Sequence, residues 1–171
     1  WHLGTEPKQS PIARGFDRFY GTRNFIDSYF TVLKHCPVFL DDKEVLPGTE
    51  TPVNHLHPDQ QWYTTDVFTD YALHFMDESF KQHADQPLFL YLAYNAPHFP
   101  LHAREEDTKK YRGRFRDVGW DKLRQQRYER MVKLGLIRRE WGLSPLDVPK
   151  WETYDAKLRN ELDLKMALYS A

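Results

Sequence analysis

The stretch QPLFLYLAYNAPHFPLHA, residues 86–103, decides how the chain is read. Leu88 to Tyr94 is apolar without a break. A strand with one face in water alternates, whereas continuous apolarity suits a strand covered on both faces, as in a parallel or mixed sheet. The run then meets a turn carrying Pro97, His98, Pro100 and His102. Each proline fixes its own φ and restricts the residue before it, so the imidazole between them is held. In open α/β sheets, ligands gather at the carboxyl ends of strands, which is where this reading puts His98. A held histidine can donate to an anion or protonate a leaving group. The plain alternative is a loop histidine bonded to a carbonyl.

Outward from this stretch the elements are helical. TTDVFTDYALHFMDESFKQHA, residues 64–84, places Val67, Tyr71, Phe75 and Ser79/Phe80 at helical spacing, with Leu73 and Met76 widening the stripe. Thr64 or Thr65 can cap it, and Asp66 favours the positive end of the helix dipole. Helix, buried strand and functional loop in that order predict an α/β class. Beyond the turn, the basic stretch KKYRGRFR leads to a helix over about Trp120–Leu134 with Leu123, Tyr128, Met131 and Leu134 on its apolar side. Gly135 followed by Leu136 predicts a Schellman ending. LSPLDVPKW is a proline-stiffened linker, and a last helix over about Asp155–Tyr169 aligns Leu158, Leu162, Met166 and Tyr169. Upstream, Gly4–Gly21 reads as loop with one tight aromatic turn, GFDRFYG. PVFLDDKEVLPG predicts a small exposed hairpin around Asp41-Asp42-Lys43.

The totals bound the function classes. A chain of 171 residues fits one domain or a piece of a larger one, and 40% hydrophobic with 15% aromatic residues is enough for a core. With 24 basic against 25 acidic residues, no overall charge favours nucleic acid or an anionic membrane surface. The longest apolar run is too short to span a bilayer. The chain opens at Trp1-His2-Leu3-Gly4 and closes on LKMALYSA inside a helical pattern, so an internal piece of a longer protein is expected.

Other candidates are weaker on their own. His2, beside Trp1, reads first as a packed side chain. His102 is either a second pocket residue or a solvent-facing one. His55-x-His57 has a metal-pair spacing, but Pro58 and polar neighbours make it a loop and no metal ligand. Cys36 has no base or helix terminus to activate its thiol. KKYRGRFR lacks any nucleic-acid motif and reads as a solvated face.

Taken together, WHLG, GFDRFYG, the helix ending in FMDE, PLFLYLAYNAPHFPLHA, YRGRFRDVGWDKLRQQRYERMVKLGLI and LSP resemble type I sulfatases, most of all their bacterial arylsulfatase branch. The likeness is weakest over residues 24–62. It implies an alkaline-phosphatase-like α/β fold, a mixed sheet flanked by helices, with residues 1–171 forming only part of the catalytic domain. It implies hydrolysis of a sulfate ester of a small molecule or carbohydrate by a formylglycine nucleophile beside calcium, both outside this chain. It also implies that His2 bonds the formylglycine hydrate, and that His98 binds the ester and favours departure of the alcohol oxygen. His102 is the candidate substrate contact. Cys36 lacks the Ser and Arg of the maturation motif, and no metal ligand is assigned to this chain, Asp41-Asp42 standing in the wrong order. Two rivals share these residues: a phosphodiesterase or phosphonate hydrolase of the same fold, and a binding module that has lost the nucleophile.

Overall fold

The computed structural model describes residues 1–46, 53 and 62–171. His55 and His57 lie outside the described residues. The chain forms two compact units, Trp1–His102 and Ala103–Ala171. The α/β class stands, although the sheet formed by the described residues is small and antiparallel.

In the first unit, strands β1 (Tyr20–Thr22), β2 (Val38–Leu40) and β3 (Lys43–Val45) pair in that order, with Tyr20 opposite Leu40 and Val38 opposite Val45. The β2–β3 hairpin is the one expected. Its turn residue Asp41 has φ 55°, a left-handed conformation that aspartate tolerates better than most residues. Its carboxylate accepts from the Phe19 amide at 2.9 Å and from Arg18 Nε at 3.3 Å, which ties the turn to the chain before β1. β1 lies at the end of GFDRFYG, which was expected to be loop throughout.

Helix α1 (Thr64–Gln82) buries Thr64, Phe68, Tyr71 and Ala72. These positions follow helical spacing but are rotated about one residue from the Val67–Tyr71–Phe75 stripe. The reason is tertiary. Phe68 joins Ile26, Tyr29, Cys36 and Tyr63 in the core, and Tyr71 stacks on Tyr20 with ring centres 3.6 Å apart. Leu73 and Phe80 therefore face outward at 58% and 54% exposure. No threonine caps the helix through its side chain. The cap position is Tyr63, and the Thr64 amide donates to the Tyr29 carbonyl at 2.9 Å.

The principal correction concerns Leu88–Tyr94. It forms no ladder with any described residue, and its side chains are exposed, Phe89 at 76%. Continuous apolarity records what a segment needs on both faces; it does not supply the neighbours. β1–β3 are three residues each and complete their own sheet elsewhere.

The second unit is helical: α2 (Glu105–Lys109), α3 (Trp120–Lys133) and α4 (Ala156–Ser170). α3 ends as expected. The Gly135 amide donates to the Val132 carbonyl and the Leu136 amide to the Met131 carbonyl, both at 3.0 Å, the paired bonds of a Schellman motif. Leu134 and Leu136 nevertheless remain exposed. Asp155 caps α4 by accepting from the Leu158 amide at 2.8 Å. Inside KKYRGRFR, Lys109 and Lys110 pair with Glu105 and Asp107, so the solvated-face reading fits them. The backbone of the same segment does something else: the Gly113, Phe115 and Arg116 amides all donate to buried Asp163 on α4.

Candidate active site

The turn after the exposed run belongs to the first unit. Asn95 opens it, with its carbonyl accepting from the His98 amide at 2.7 Å. The Ala96–Pro97 and Phe99–Pro100 peptide bonds are both cis. His98 is exposed, yet its surroundings are ordered on three sides. Its Nδ1 lies 2.5 Å from the Phe99 carbonyl oxygen, its ring meets Phe25 edge-on at 4.9 Å, and its own carbonyl accepts from the Tyr29 hydroxyl at 2.8 Å. His102 is half-buried. Its Nδ1 accepts from the Tyr29 amide at 3.2 Å, and its ring meets Tyr29 edge-on at 5.6 Å and Phe30 at 6.1 Å.

Tyr29 thus holds both histidines. It is 1% exposed, and burial pushes its phenol up to about 12, with the charge of neighbouring Tyr63 adding to the rise and the bond to His98 opposing it. Neither Tyr29 nor Phe25 stood out in the sequence. They lie in NFIDSYF, where the only signal is a cluster of aromatic residues, and the contacts to the turn span about seventy positions of chain.

His2 is held by its neighbours. The Trp1 backbone nitrogen donates to the Thr22 carbonyl at 3.2 Å, and its indole donates to the Gln9 carbonyl at 2.9 Å. Gly4 has φ +119°, and a Cβ there would fall 2.3 Å from the Gln9 side chain, so the WHLG turn requires glycine. The His2 ring remains exposed beyond this turn. An aromatic relay links the two motifs: Trp1 meets Phe16 at 5.9 Å, and Phe16 meets Phe89 of the apolar run at 6.0 Å. His98 and His102 are brought together by direct bonds to one residue. His2 lies in the same unit, next to Trp1 of this relay, and among the described residues no bond joins it to either.

The described residues do not fit a calcium site. Calcium takes six to eight oxygens, and no group of three or more His, Cys, Asp or Glu converges among the described residues. Asp41 is engaged by Arg18 and the Phe19 amide, and Asp42 pairs with Arg23 at 2.6 Å. Cys36 is buried, its thiol donates to the Phe25 carbonyl, and burial pushes its pKa up, which suits a core residue.

A family model for sulfatases matches residues 1–160. The chain belongs to the sulfatase family. It is 28% identical to an arylsulfatase of Klebsiella aerogenes and 28% identical to an uncharacterized sulfatase of Schizosaccharomyces pombe, each match covering 100% of this chain. It is 35% identical to the N-acetylgalactosamine-6-sulfatase of Mus musculus over 69% of its length. The chain spans 36%, 31% and 23% of these sulfatases respectively.

Proposed function

We propose that this chain contributes histidines to the active site of a sulfuric ester hydrolase of arylsulfatase type. The observation that carries the reading is the placement of His98: a solvent-accessible imidazole in the Ala-Pro-His turn, ordered by Phe25, Tyr29 and the Phe99 carbonyl, in a chain of the sulfatase family. Hydrolysis of a sulfate ester expels an alcohol or phenol oxygen on which negative charge grows. A preorganised acid beside that oxygen stabilises the charge without reorganising. His98 takes this role, His102 offers a second polar contact to the sulfate or its ester group, and His2 presents its ring from the glycine-dependent WHLG turn. The formylglycine nucleophile and calcium that the family resemblance implies are assigned to residues outside this chain.

The test is turnover by the full-length protein with an aryl sulfate, a phosphate diester and a phosphonate monoester, with and without His98→Ala. Preference for the sulfate and its loss in the variant support the reading. Preference for a phosphorus ester would replace it with the phosphodiesterase reading, and no turnover of any ester with a folded protein would favour a binding module.

A further inference from the structure

We propose that Tyr29 is a positioning residue for two histidines held in opposite tautomers: its amide sets the tautomer of His102, and its hydroxyl holds the backbone of His98, whose own tautomer the Phe99 carbonyl sets, leaving Nε2 of His98 to exchange a proton and Nε2–H of His102 as a standing donor. The inference rests on the reading of this turn as a sulfate-ester site.

The tautomers follow from partners that each have one possible role. A carbonyl oxygen can only accept, so Nδ1 of His98, 2.5 Å from the Phe99 oxygen, carries a hydrogen. A backbone amide can only donate, so Nδ1 of His102, 3.2 Å from the Tyr29 nitrogen, offers its lone pair. The neutral His102 ring then bears its hydrogen on Nε2, and neutral His98 has its free lone pair there. One residue supports both arrangements, through its amide to His102 and its hydroxyl to the His98 carbonyl at 2.8 Å. Burial keeps the Tyr29 phenol protonated, and therefore a donor, well beyond neutral pH. Ring edges from Phe25 and Tyr29 restrain rotation of the two imidazoles.

This division suits a sulfate ester. Protonated His98 carries hydrogens on both nitrogens. When its Nε2 proton passes to the departing alcohol oxygen, the ring is left neutral in the tautomer Phe99 already holds, so no ring flip is needed. His102 meanwhile offers an N–H to a sulfate oxygen without itself gaining or losing a proton.

The experiment is nitrogen NMR of the full-length protein labelled at histidine, with resonances assigned by their loss in His98→Gln and His102→Gln. The expected spectrum has His98 protonated on Nδ1 and His102 on Nε2 when both are neutral. Equal tautomers, or averaging of either ring between both, would overturn the proposal. Tyr29→Phe keeps the ring packing and the amide, so the His102 tautomer should persist while kcat falls about tenfold to a hundredfold with a smaller change in KM. Unchanged kcat in a folded Tyr29→Phe protein would remove its positioning role. If both tautomers hold and His98→Ala retains turnover, the functional reading fails and the tautomer assignment survives.

Discussion

Arg112 Nη1 sits 3.0 Å from Asp163 Oδ2, and Asp163 is 1% exposed. The arginine is partly in water, so the ion pair is the smaller part of what this carboxylate does. Its two oxygens also accept from the Gly113, Phe115 and Arg116 amides at 2.9–3.1 Å, which fixes the shape of the loop before α3.

Asp163→Ala is therefore expected to destabilise the second unit by about 3 kcal/mol, because it removes a buried acceptor shared by three backbone amides. Asp163→Asn keeps one good acceptor and should cost less. Urea unfolding of both variants checks this. A cost below about 0.5 kcal/mol, the range of ordinary surface changes, would show that the loop holds its shape without the carboxylate.

Gly119 gives a second test of the same unit. It precedes α3 at φ 76° and ψ 163°, a region that side-chain-bearing residues rarely adopt, and a Cβ there would lie 2.2 Å from Trp151 Cγ. Trp151 is buried, and its indole donates to the Arg116 carbonyl at 2.8 Å, so it has little room to yield. Gly119→Ala should cost about 3 kcal/mol or more from strain and clash together. A lowered melting temperature should report the displacement, and an unchanged one would contradict the packing described.

What could be read in advance divides along sequence distance. The end of α3 and the β2–β3 hairpin depend on neighbours within a few positions, and each formed as expected. The face of α1 was off by about one residue because Tyr20 and Tyr29, remote in sequence, decide which side is covered. The Leu88–Tyr94 reading failed as a description of burial because its apolar pattern cannot say where its partners lie. At the candidate site, the histidines stood out in the sequence only as residue types within a proline-rich turn and a glycine turn. Tyr29 and Phe25 were not, since nothing local distinguishes an aromatic residue that holds a histidine from one that fills a core.

Stability should fall on the alkaline side. Burial raises the phenol of Tyr29 to about 12 and raises Tyr20 and the Cys36 thiol as well. For groups raised in this way, the unfolded chain loses its protons first. Their contribution is whole below about pH 9, begins to fade as unfolded thiol and phenol ionise, and is lost for Tyr29 between about 10 and 12. The urea midpoint followed against pH should be level near neutrality and then decline. Tyr29→Phe should make the decline shallower above about pH 10. An equal slope in both proteins would show that Tyr29 ionises as readily folded as unfolded.

The run Leu88–Tyr94 exposes Leu88, Phe89, Leu90, Tyr91, Leu92 and Tyr94 side by side. A contiguous apolar patch of this kind, with backbone groups outside any ladder, favours association. The 171-residue chain expressed by itself is expected to self-associate at micromolar concentration, and Leu90→Lys with Leu92→Glu to suppress it. Light scattering of the two proteins at matched concentration decides this, and a monodisperse parent chain would count against the exposure.

The histidines of the turn should separate in kinetics. In the full-length protein, His98→Ala is expected to lower kcat for an aryl sulfate about a hundredfold or more, the usual loss of a positioned acid or charge-stabilising donor. His102→Ala should cost about tenfold or less, mostly in KM, because a standing donor to the ester binds ground and transition states nearly alike. The asymmetry follows from their settings: His98 is exposed with its Nδ1 committed to Phe99, whereas His102 is half-buried against Tyr29 and Phe30. Circular dichroism confirms that each variant is folded before the rates are compared. Should His102→Ala prove the more damaging to kcat, the roles of the two rings would have to be exchanged.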